Sequence, residues 1–536
     1  MRTPTVGEAL VSNLKTRGVT CVFGIPGVHT IELYRGLAAS GIRHVTPRHE
    51  QGAGFMADGY ARVSGNPGVA FVITGPGLTN TLTPMAQARA DSVPMLVVSG
   101  VNPTSTLGKG MGHLHELPDQ LALARTVALI SEQVSEAKDL NPILDRVFEG
   151  FANRRPGPMH IEVPLDLAGS AQEGPADAIS NPSDAADPIP VAEAAALLTA
   201  AERVVILAGG GAKRTTGYLQ SLAERMDAPV VQTVNARGVM HGHPLTVPAS
   251  PSLPAVRKLI ENADCVLALG TELGPTDYDM YATGHMAEMP RLIRVDICAA
   301  QLQRHPAELA IHGDVKNVIP ALLKALPVGQ NRTGGAERAA HARTEAWDEI
   351  GPDYRRQVEV LKAMREAQPN ALMIGDSAQP IYAGNLYYDH DRAGGWFNAA
   401  TGYGALGYAI PAAVGAAIAA PDTRVICIVG DGGAQFSLPE IMAAVDEGLP
   451  ITFVIWNNHG YQEIATSMRD VGVKIIGCDP TPPDFAATAT SFGIPFERVA
   501  NEPQAVANAL HAASNTHGPV MVEITAPTFE PEKERT

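Results

Sequence analysis

Long apolar runs, basic clusters and closely spaced cysteines are all missing from this 536-residue sequence. No stretch reaches the about 18 consecutive apolar residues that a membrane-spanning helix needs. The formal net charge is −16 and no basic cluster occurs, which argues against nucleic acid and against an anionic membrane surface as partners. The first residues also lack the apolar core of a signal peptide, so we expect a cytoplasmic protein.

Cysteine is scarce, and its spacing excludes a CxxC metal or redox pair. The five cysteines lie mostly in apolar segments, which favours buried, chemically inert thiols; they are Cys21, Cys265, Cys298, Cys427 and Cys478.

The apolar residues that are present follow an α/β pattern. Short β-branched runs alternate with longer Ala/Leu-rich stretches, as in parallel sheets covered by helices on both faces. Two stretches without apolar period, 168–189 and 328–340, are predicted linkers. They divide the chain into predicted domains 1–167, 190–327 and 341–536, and we expect a doubly wound parallel sheet in each.

Each predicted domain contains four strand candidates. They are 21–25, 69–74, 95–99 and 159–163 in the first, 204–208, 229–233, 265–269 and 291–296 in the second, and 373–374, 425–429, 451–456 and 520–524 in the third. Gly209-Gly210-Gly211 follows a strand of the middle domain and fits either a tight βα turn or a nucleotide site.

The strongest local motif is Gly430-Asp431-Gly432-Gly433, directly after a predicted strand. Ser437-Leu438-Pro439-Glu440 then has the form of a helix capping box. The next strand ends in Asn457-Asn458-His459-Gly460. Because successive parallel strands end at one edge of a sheet, we expect Asp431 and Asn458 to be neighbours.

A carboxylate, an amide oxygen and a backbone carbonyl form an oxygen site that suits Mg²⁺. Asp431, Asn458 and the carbonyl of Gly460 are the predicted ligands. Gly430, Gly432 and Gly433 would let the backbone approach a diphosphate. The alternative is a glycine-rich turn beside an asparagine turn, without any ligand.

These residues resemble the cofactor motif of the thiamine-diphosphate enzymes, the group that includes acetolactate synthase, benzoylformate decarboxylase and pyruvate decarboxylase. The resemblance implies a pyrimidine-binding first domain, a Rossmann-like middle domain and a C-terminal domain that binds the diphosphate with Mg²⁺. It also implies a homodimer or homotetramer whose active sites lie between subunits.

The resemblance assigns further residues to the cofactor site. Glu50, in Arg48-His49-Glu50-Gln51-Gly52-Ala53 and followed by Ala57-Asp58-Gly59-Tyr60-Ala61-Arg62, matches the glutamate that hydrogen-bonds the aminopyrimidine. Leu406 matches the apolar residue that supports the bent cofactor, and the Gly404 carbonyl would accept from the cofactor amine. The remaining predicted cofactor contacts are Thr74, Asn80, Gln379 and Tyr461.

Histidines are the candidates for the chemistry after CO₂ leaves. His113, His115 and His29 could bind the substrate carboxylate or relay a proton, and Glu116, beside them in sequence, is a predicted substrate contact. Each histidine could equally be structural. Protonation of the decarboxylated intermediate would yield an aldehyde, whereas a second carbonyl compound would yield a carboligation product.

The middle-domain run from Gly270 to Tyr281 holds two carboxylates, Asp277 and Asp279, that could bind a cationic substrate. With the histidine segment it resembles the 5-guanidino-2-oxopentanoate decarboxylases, which release 4-guanidinobutanal. Glu463 is a further predicted substrate contact. A solvated acidic loop is the alternative.

An acetolactate synthase-like carboligase that acts on pyruvate is the alternative function. Such enzymes usually retain FAD in a flavoprotein-like middle domain. The stretch 248–253 does not resemble that flavin site, so FAD is not expected.

Overall fold

Three parallel six-stranded sheets organise the protein in a computed structural model that describes residues 3–172, 188–328 and 332–526. Helices flank each sheet, and the predicted α/β class with three doubly wound sheets is confirmed. No helix within these described ranges is long and apolar enough to cross a membrane.

The first sheet has the strand order β2-β1-β3-β4-β6-β5. Its strands are β1 (Cys21–Gly24), β2 (Arg43–Val45), β3 (Gly68–Val72), β4 (Met95–Val101), β5 (Ile130–Gln133) and β6 (Pro158–Pro164). Its helices are α1 (Val6–Thr16), α2 (Ile31–Ser40), α3 (Glu50–Ser64), α4 (Pro76–Ala90), α5 (Gln120–Arg125), α6 (Leu140–Asn153) and α7 (Leu165–Ala168).

The middle sheet has the order β9-β8-β7-β10-β11-β12, which is the strand order of the Rossmann fold. Its strands are β7 (Val204–Ala208), β8 (Val230–Gln232), β9 (Thr246–Val247), β10 (Cys265–Leu269), β11 (Leu292–Asp296) and β12 (Leu309–His312). Its helices are α8 (Pro188–Ala200), α9 (Thr216–Met226), α10 (Pro254–Glu261), α11 (Pro275–Tyr278), α12 (Ala299–Leu302) and α13 (Val315–Ala325).

The third sheet has the order β14-β13-β15-β16-β18-β17. Its strands are β13 (Leu372–Gly375), β14 (Trp396–Asn398), β15 (Val425–Gly430), β16 (Ile451–Asn457), β17 (Phe496–Ala500) and β18 (Val520–Thr525). Its helices are α14 (Gly335–Glu349), α15 (Gly351–Ala367), α16 (Gln379–Leu386), α17 (Ala409–Ala419), α18 (Asp431–Ala434), α19 (Ile441–Asp446), α20 (Gln462–Asp470), α21 (Phe485–Phe492) and α22 (Pro503–Ser514).

The domain limits proposed from the linkers stay a prediction. Residues 173–187, most of the predicted linker 168–189, lie outside the described residues. The second predicted linker, 328–340, overlaps the start of α14, which begins at Gly335. There the backbone N–H of Gly335 donates to the Asp227 side chain at 2.7 Å.

The predicted capping box at Ser437 is wrong. A short 3₁₀ turn spans Leu438–Glu440 before α19, and the Ser437 hydroxyl makes no cap hydrogen bond. The Glu440 carboxylate does not reach back to the local backbone. It binds backbone N–H groups of the first domain instead, so a tertiary contact outcompetes the local cap.

Helices α3 and α17 join the first and third sheets through unusually close backbone contact. Helix α17 is apolar on all sides and almost fully buried, as expected for a helix enclosed between two sheets. A Cβ at Gly59 would collide with the carbonyl of Ala412, and one at Gly415 would collide with the carbonyl of Met56. Glycine at both positions therefore sets how closely the two helices approach.

A buried ion network lies beside this helix pair. The Arg62 guanidinium is 2.6 Å from an Asp58 oxygen and 2.7 Å from an Asp91 oxygen. The Tyr408 hydroxyl donates to Asp58 at 2.6 Å, and the Thr401 hydroxyl donates to Asp91 at 2.8 Å. Two residues of the third domain are thereby fixed to carboxylates of the first.

We expect Gly415→Ala to destabilise the protein, because the new methyl group would overlap the Met56 carbonyl. Overpacking of this kind costs about 1–3 kcal/mol. Gly217→Ala is the matched control, since Gly217 lies in α9 and a methyl group added there would have no heavy atom within 4 Å. Thermal unfolding should show a lower Tm for Gly415→Ala and an unchanged or slightly higher Tm for Gly217→Ala. Equal Tm values for both variants would contradict the close helix contact.

Candidate active site

Three oxygen atoms converge at the carboxyl edge of the third sheet. Asp431 is fully buried, and burial raises its pKa. The Asn458 side chain places one amide atom 3.0 Å from Asp431 Oδ1 and 2.9 Å from the Gly460 carbonyl oxygen. In one orientation of the amide that atom is oxygen, and the other amide atom, nitrogen, donates to Gln379 Oε1 at 2.9 Å. In the swapped orientation that atom is nitrogen and donates to both Asp431 Oδ1 and the Gly460 carbonyl, without a cation.

When the Asn458 amide oxygen faces Asp431 and Gly460, three oxygen atoms lie together with no hydrogen-bond donor between them. A cation would stabilise this arrangement. Ligands at the ~2.1 Å typical of octahedral Mg²⁺ lie about 3 Å from one another when they are adjacent. The two distances at Asn458 match that spacing. Asp431 Oδ2 is buried without a hydrogen-bond partner in the described part of the chain. The residues present therefore fit Mg²⁺.

The glycines of the motif serve close packing around this centre. A Cβ at Gly432 would lie 2.5 Å from the Tyr461 ring, and one at Gly433 would lie 3.2 Å from an Asp376 oxygen. Gly460 has φ 137°, and a Cβ there would collide with the Cys478 carbonyl, so this turn also requires glycine. A flat, side-chain-free backbone surface results, which a diphosphate can approach.

Asp376 is a buried residue beside the predicted cofactor site that the sequence analysis missed. It follows β13 and is fully buried, and burial raises its pKa to about 6. Its carboxylate accepts from the backbone N–H of Ser377 at 2.8 Å and of Ala409 at 3.1 Å. It thereby connects the Gly430–Gly433 turn to the start of α17. The motif Gly-Asp-Ser directly after an apolar strand was the available signal.

The segment before α17 carries two predicted cofactor contacts, Gly404 and Leu406. Gly404 is exposed with φ 75°, and its N–H donates to the Ala399 carbonyl at 3.1 Å. Leu406 is half-buried. A Cβ at Gly407 would lie 2.6 Å from the Phe436 side chain, so this segment rests on the turn that follows the Gly430–Gly433 motif.

Glu50 is the first residue of α3 and is half-buried. The Asn80 side chain donates to its Oε2 at 3.0 Å, so these two predicted cofactor contacts are brought together. From the third domain, the buried Glu440 carboxylate accepts from the N–H groups of Arg48 and His49 at 3.0 and 2.9 Å. The turn that presents Glu50 is held across the domain contact.

In the described chain, no hydrogen bond joins Glu50 or Asn80 to Asp431, Asn458 or Gly460. The predicted pyrimidine contacts and the predicted metal ligands are therefore not linked directly by hydrogen bonds within the described residues.

His29 and His115 lie side by side at the carboxyl edge of the first sheet, with ring centroids 5.5 Å apart. His29 is buried, and burial lowers its pKa. Nδ1 of each ring is buried without a hydrogen-bond partner among the described residues. Thr74 does not face them through its hydroxyl, which donates instead to Gln120 Oε1 at 2.8 Å.

The neighbouring residues His113 and Glu116 are arranged differently. His113 is exposed. The Glu116 carboxylate accepts from the backbone N–H groups of Met111, Gly112 and His113 at 3.2, 2.7 and 2.9 Å. Burial alone would raise the pKa of Glu116, but these N–H groups outweigh it and lower the pKa. Glu116 holds its own loop together, which leaves it less available for a substrate.

Comparison with known proteins decides the family. The chain matches the N-terminal TPP binding domain of thiamine pyrophosphate enzymes over residues 4–123, the central domain over 191–322 and the C-terminal TPP binding domain over 376–524. It is 40% identical to a probable 2-ketoarginine decarboxylase of Pseudomonas aeruginosa, over 92% of this chain and 89% of that protein. The chain belongs to the thiamine pyrophosphate enzymes.

Acetolactate synthases are more distant relatives. The large subunit of acetolactate synthase isozyme 1 from Escherichia coli is 28% identical to this chain, over 97% of this chain and 93% of that protein. The acetolactate synthase of Mycobacterium bovis is 30% identical over 97% and 87%. The predicted resemblance to the family, and within it to a guanidino-oxo acid decarboxylase, is confirmed. The TPP-binding domains support thiamine diphosphate as the cofactor.

A cavity of about 360 Å³ lies between the middle and C-terminal domains of this thiamine pyrophosphate enzyme. Asp277 and Asp279 line it from the middle domain, and Tyr382 and Thr401 line it from the C-terminal domain. Thr401 belongs to the segment that carries Gly404 and Leu406. The cavity therefore adjoins the predicted cofactor site.

The two aspartates of this cavity are not equivalent. Asp279 forms an ion pair with Arg257 at 3.0 Å and accepts from the N–H groups of Thr283 and Gly284. Asp277 Oδ1 accepts from the Val234 N–H at a long 3.3 Å, and burial raises the pKa of Asp277 to about 6. Asp277 is therefore the carboxylate with spare capacity for a ligand.

Glu463, the remaining predicted substrate contact, is half-buried at the start of α20. Burial raises its pKa, and a hydrogen bond with Gln379 lowers it. Gln379 also accepts from the Trp456 indole at 3.3 Å and from Asn458 at 2.9 Å. Through Gln379, Glu463 is connected to the predicted metal ligand.

The glycine cluster of the middle domain is used for packing. A Cβ at Gly209 would collide with the carbonyl of Gly270, and one at Gly211 would lie 2.9 Å from the Cα of Gly270. This contact favours the tight βα turn over a nucleotide site. That the enzyme lacks FAD stays a prediction.

We expect Glu440→Gln to alter the pH dependence of stability. Burial raises the pKa of Glu440 to about 7 from its ordinary 4.5. Because the folded value is the higher one, this contribution to stability is full below about pH 4.5 and is lost as pH rises through 7. Relative to wild type, the variant should therefore gain up to about 3 kcal/mol between pH 5 and 8.

Thermal unfolding of both proteins across pH 5 to 8 measures this difference. Asp446→Asn is the control, since it removes an exposed carboxyl that pairs with Arg48 from the same side. A difference between Glu440→Gln and wild type that does not change with pH would contradict the prediction.

Proposed function

We propose that this enzyme catalyses the Mg²⁺-dependent, non-oxidative decarboxylation of 5-guanidino-2-oxopentanoate to 4-guanidinobutanal and CO₂. The observation that carries the proposal is Asp277, a half-buried carboxylate with spare hydrogen-bonding capacity in a cavity beside the predicted cofactor-binding segment. The relative named as a 2-ketoarginine decarboxylase, at 40% identity over nearly the whole chain, supports the same substrate.

Asp431, Asn458 and the Gly460 carbonyl would hold Mg²⁺, and the Gly430–Gly433 turn would receive the diphosphate with Tyr461 and Gln379 beside it. Thiamine diphosphate would supply a carbanion centre that adds to the 2-oxo group and a cationic thiazolium ring that accepts the electron pair released with CO₂. Thr74, Gly404 and Leu406 are further cofactor contacts in this proposal.

Glu50 would hold a proton at the aminopyrimidine nitrogen of the cofactor. Asn80 fixes the orientation of its carboxyl group, because it donates to one of the two oxygens. Since Glu50 and the predicted metal ligands lie in different domains of a thiamine pyrophosphate enzyme, a family whose active sites lie between subunits, we propose that Glu50 serves the cofactor of a partner subunit. A homodimer is then the smallest active assembly, and a homotetramer is two such pairs.

Asp277 would bind the guanidinium end of the substrate. A planar guanidinium forms two parallel hydrogen bonds with a carboxylate, and a partly desolvated site strengthens them. Asp279 is already neutralised by Arg257, so its role is to hold the loop. The positive charge of Arg237 disfavours binding of a second cation near Asp277. Its guanidinium does not pair with Asp277, however, because it donates hydrogen bonds to the carbonyls of Asn385 and Tyr388.

His29 and His115 would act at the other end of the substrate, with His113 and Glu463 nearby. The unpartnered Nδ1 atoms leave one nitrogen of each ring available to bind the carboxylate or to deliver a proton after CO₂ has left, while the His29 ring also has a hydrogen bond with Asn102. Proton delivery completes the release of an aldehyde. The lowered pKa of His29 favours its neutral form, which can accept as well as donate a proton.

An acetolactate synthase-like carboligase acting on pyruvate is the second candidate. The 28–30% identity to acetolactate synthases favours it. Such a reaction would not need Asp277, because pyruvate carries no cation.

Product analysis decides between the two. The protein is supplied with thiamine diphosphate and Mg²⁺ and, separately, with 5-guanidino-2-oxopentanoate and with pyruvate. We expect CO₂ and 4-guanidinobutanal from the first substrate and little turnover of the second. Acetolactate from pyruvate, without turnover of the guanidino acid, would overturn the proposal in favour of the carboligase.

Asp277→Asn should raise KM for 5-guanidino-2-oxopentanoate by roughly 10- to 100-fold, because a charge-assisted contact is worth about 1.5–3 kcal/mol. KM for an uncharged 2-oxo acid of similar length, such as 2-oxohexanoate, should change much less. Asp279→Asn is the matched control. It should lower the Tm, because Asp279 holds the loop, and it should leave the ratio of the KM values for the two substrates nearly unchanged. Equal effects of Asp277→Asn on both substrates would exclude Asp277 from the substrate site.

A further inference from the structure

We infer that Gln120 is a positioning residue that holds the His29 and His115 imidazoles in place; the inference rests on the role proposed for these histidines. Gln120 is the first residue of α5 and is 4% exposed. Its side chain lies behind the two histidines and contacts the backbone on which each of them rests.

The amide oxygen of Gln120 holds the surface beneath His115. It accepts from the Thr74 hydroxyl at 2.8 Å and from the Gly75 N–H at 3.0 Å. A Cβ at Gly75 would lie 2.7 Å from the His115 carbonyl oxygen and 2.9 Å from its Cβ. The His115 backbone therefore packs directly on the residue that Gln120 binds.

The amide nitrogen of Gln120 holds the surface beneath His29. It donates to the Gly100 carbonyl at 3.0 Å. A Cβ at Gly100 would lie 2.5 Å from the His29 carbonyl oxygen and 2.7 Å from its Cβ. One amide group thus binds both supporting glycines, Gly75 beneath His115 and Gly100 beneath His29.

Buried groups on the far side keep the amide itself in place. Gln120 Nε2 also donates to Ser99 Oγ at 3.2 Å and to Glu162 Oε2 at 3.1 Å. The Ser99 hydroxyl in turn contacts the buried His160 ring at 2.8 Å, and His160 contacts Ser131 on the other side. The amide orientation is therefore determined, because only its oxygen can serve Thr74 and Gly75 and only its nitrogen can serve Glu162.

The backbone at His115 has a particular need for such support. His115 has φ 61°, in the left-handed region that is costly for a residue with a side chain. Its backbone persists in that region only if its surroundings enforce it. The contact with Gly75, which Gln120 fixes, is one such constraint.

The test is a double-mutant cycle with Gln120→Met and His115→Asn, in which asparagine is chosen because it tolerates a left-handed backbone. We expect Gln120→Met to lower kcat/KM on the order of tenfold or more, since small misplacements of catalytic groups have effects of this size. The double variant should lose less than the product of the two single losses. Multiplicative losses would overturn the inference.

Ser131→Ala is the control for stability, because Ser131 belongs to the same buried network, is linked to the Gln120 side chain only through His160 and Ser99, and otherwise donates to the Leu121 carbonyl at 3.3 Å. It should lower the Tm and leave kcat/KM unchanged. If it lowered kcat/KM as much as Gln120→Met does, the effect of Gln120 would be general destabilisation and the inference would fail.

Hydrogen–deuterium exchange separates this inference from the proposed function. Gln120→Met should speed exchange in peptides covering residues 26–30 and 112–118. Gln120→Glu keeps the acceptor for Thr74 and Gly75 and removes the donor, so it should speed exchange at 26–30 only. Unchanged exchange in both variants would overturn the positioning role. Full activity of His115→Asn, with exchange altered as expected, would instead refute the catalytic role proposed for His115.

Discussion

The buried guanidinium of Arg62 is the interaction on which the rest of the structure depends. It neutralises Asp58 and Asp91 inside the contact between the first and third domains, where unpaired charges would cost several kcal/mol each. The same carboxylates accept hydrogen bonds from Thr401 and Tyr408, the two ends of the segment that carries Gly404 and Leu406. The segment that carries two predicted cofactor contacts is therefore fixed by a salt bridge whose residues are not among the predicted cofactor or substrate contacts.

Fixing the two domains in this way also makes the other cross-domain contacts possible. Glu440 reaches the turn before Glu50 because the backbones of α3 and α17 are in close contact at Gly59 and Gly415. The cavity that holds Asp277 depends on a different contact, because it is lined from the middle and third domains.

Sequence reasoning found the central strands of each sheet and missed the edges. All six missed strands are edge strands, namely β2, β5, β9, β12, β14 and β17. The physical reason is that an edge strand is covered incompletely, so it needs no continuous apolar run. β12 and β17 are mostly exposed or half-buried, and β9 has only two residues.

In the site, too, local sequence patterns predict the residues that follow a strand, whereas contacts between distant segments could not be predicted. Asp431, Asn458 and Gly460 were predictable because each closely follows a buried strand, and topology places strand ends together. Glu116 was predicted as a substrate contact, yet it binds its own loop. Composition likewise marked Asp277 and Asp279 as acidic but could not show that Arg257 neutralises one of them. Asp376, Glu440 and Gln120 act through partners distant in sequence, so no local pattern announces them.

The first and third sheets have the same strand order, and α3 and α17 occupy the same place in it, after the second strand and before the third. Their contact is reciprocal: Gly59 meets the carbonyl of Ala412, and Gly415 meets that of Met56, so that in each helix the glycine follows the contacted carbonyl by one turn. This is the self-complementary geometry of a two-fold symmetric dimer. The chain therefore contains a pseudosymmetric pair, as fusion of two copies of one α/β unit would produce. The two units differ in the chemistry predicted for them, because the first domain carries the predicted pyrimidine contact Glu50 and the third domain carries the predicted metal ligands.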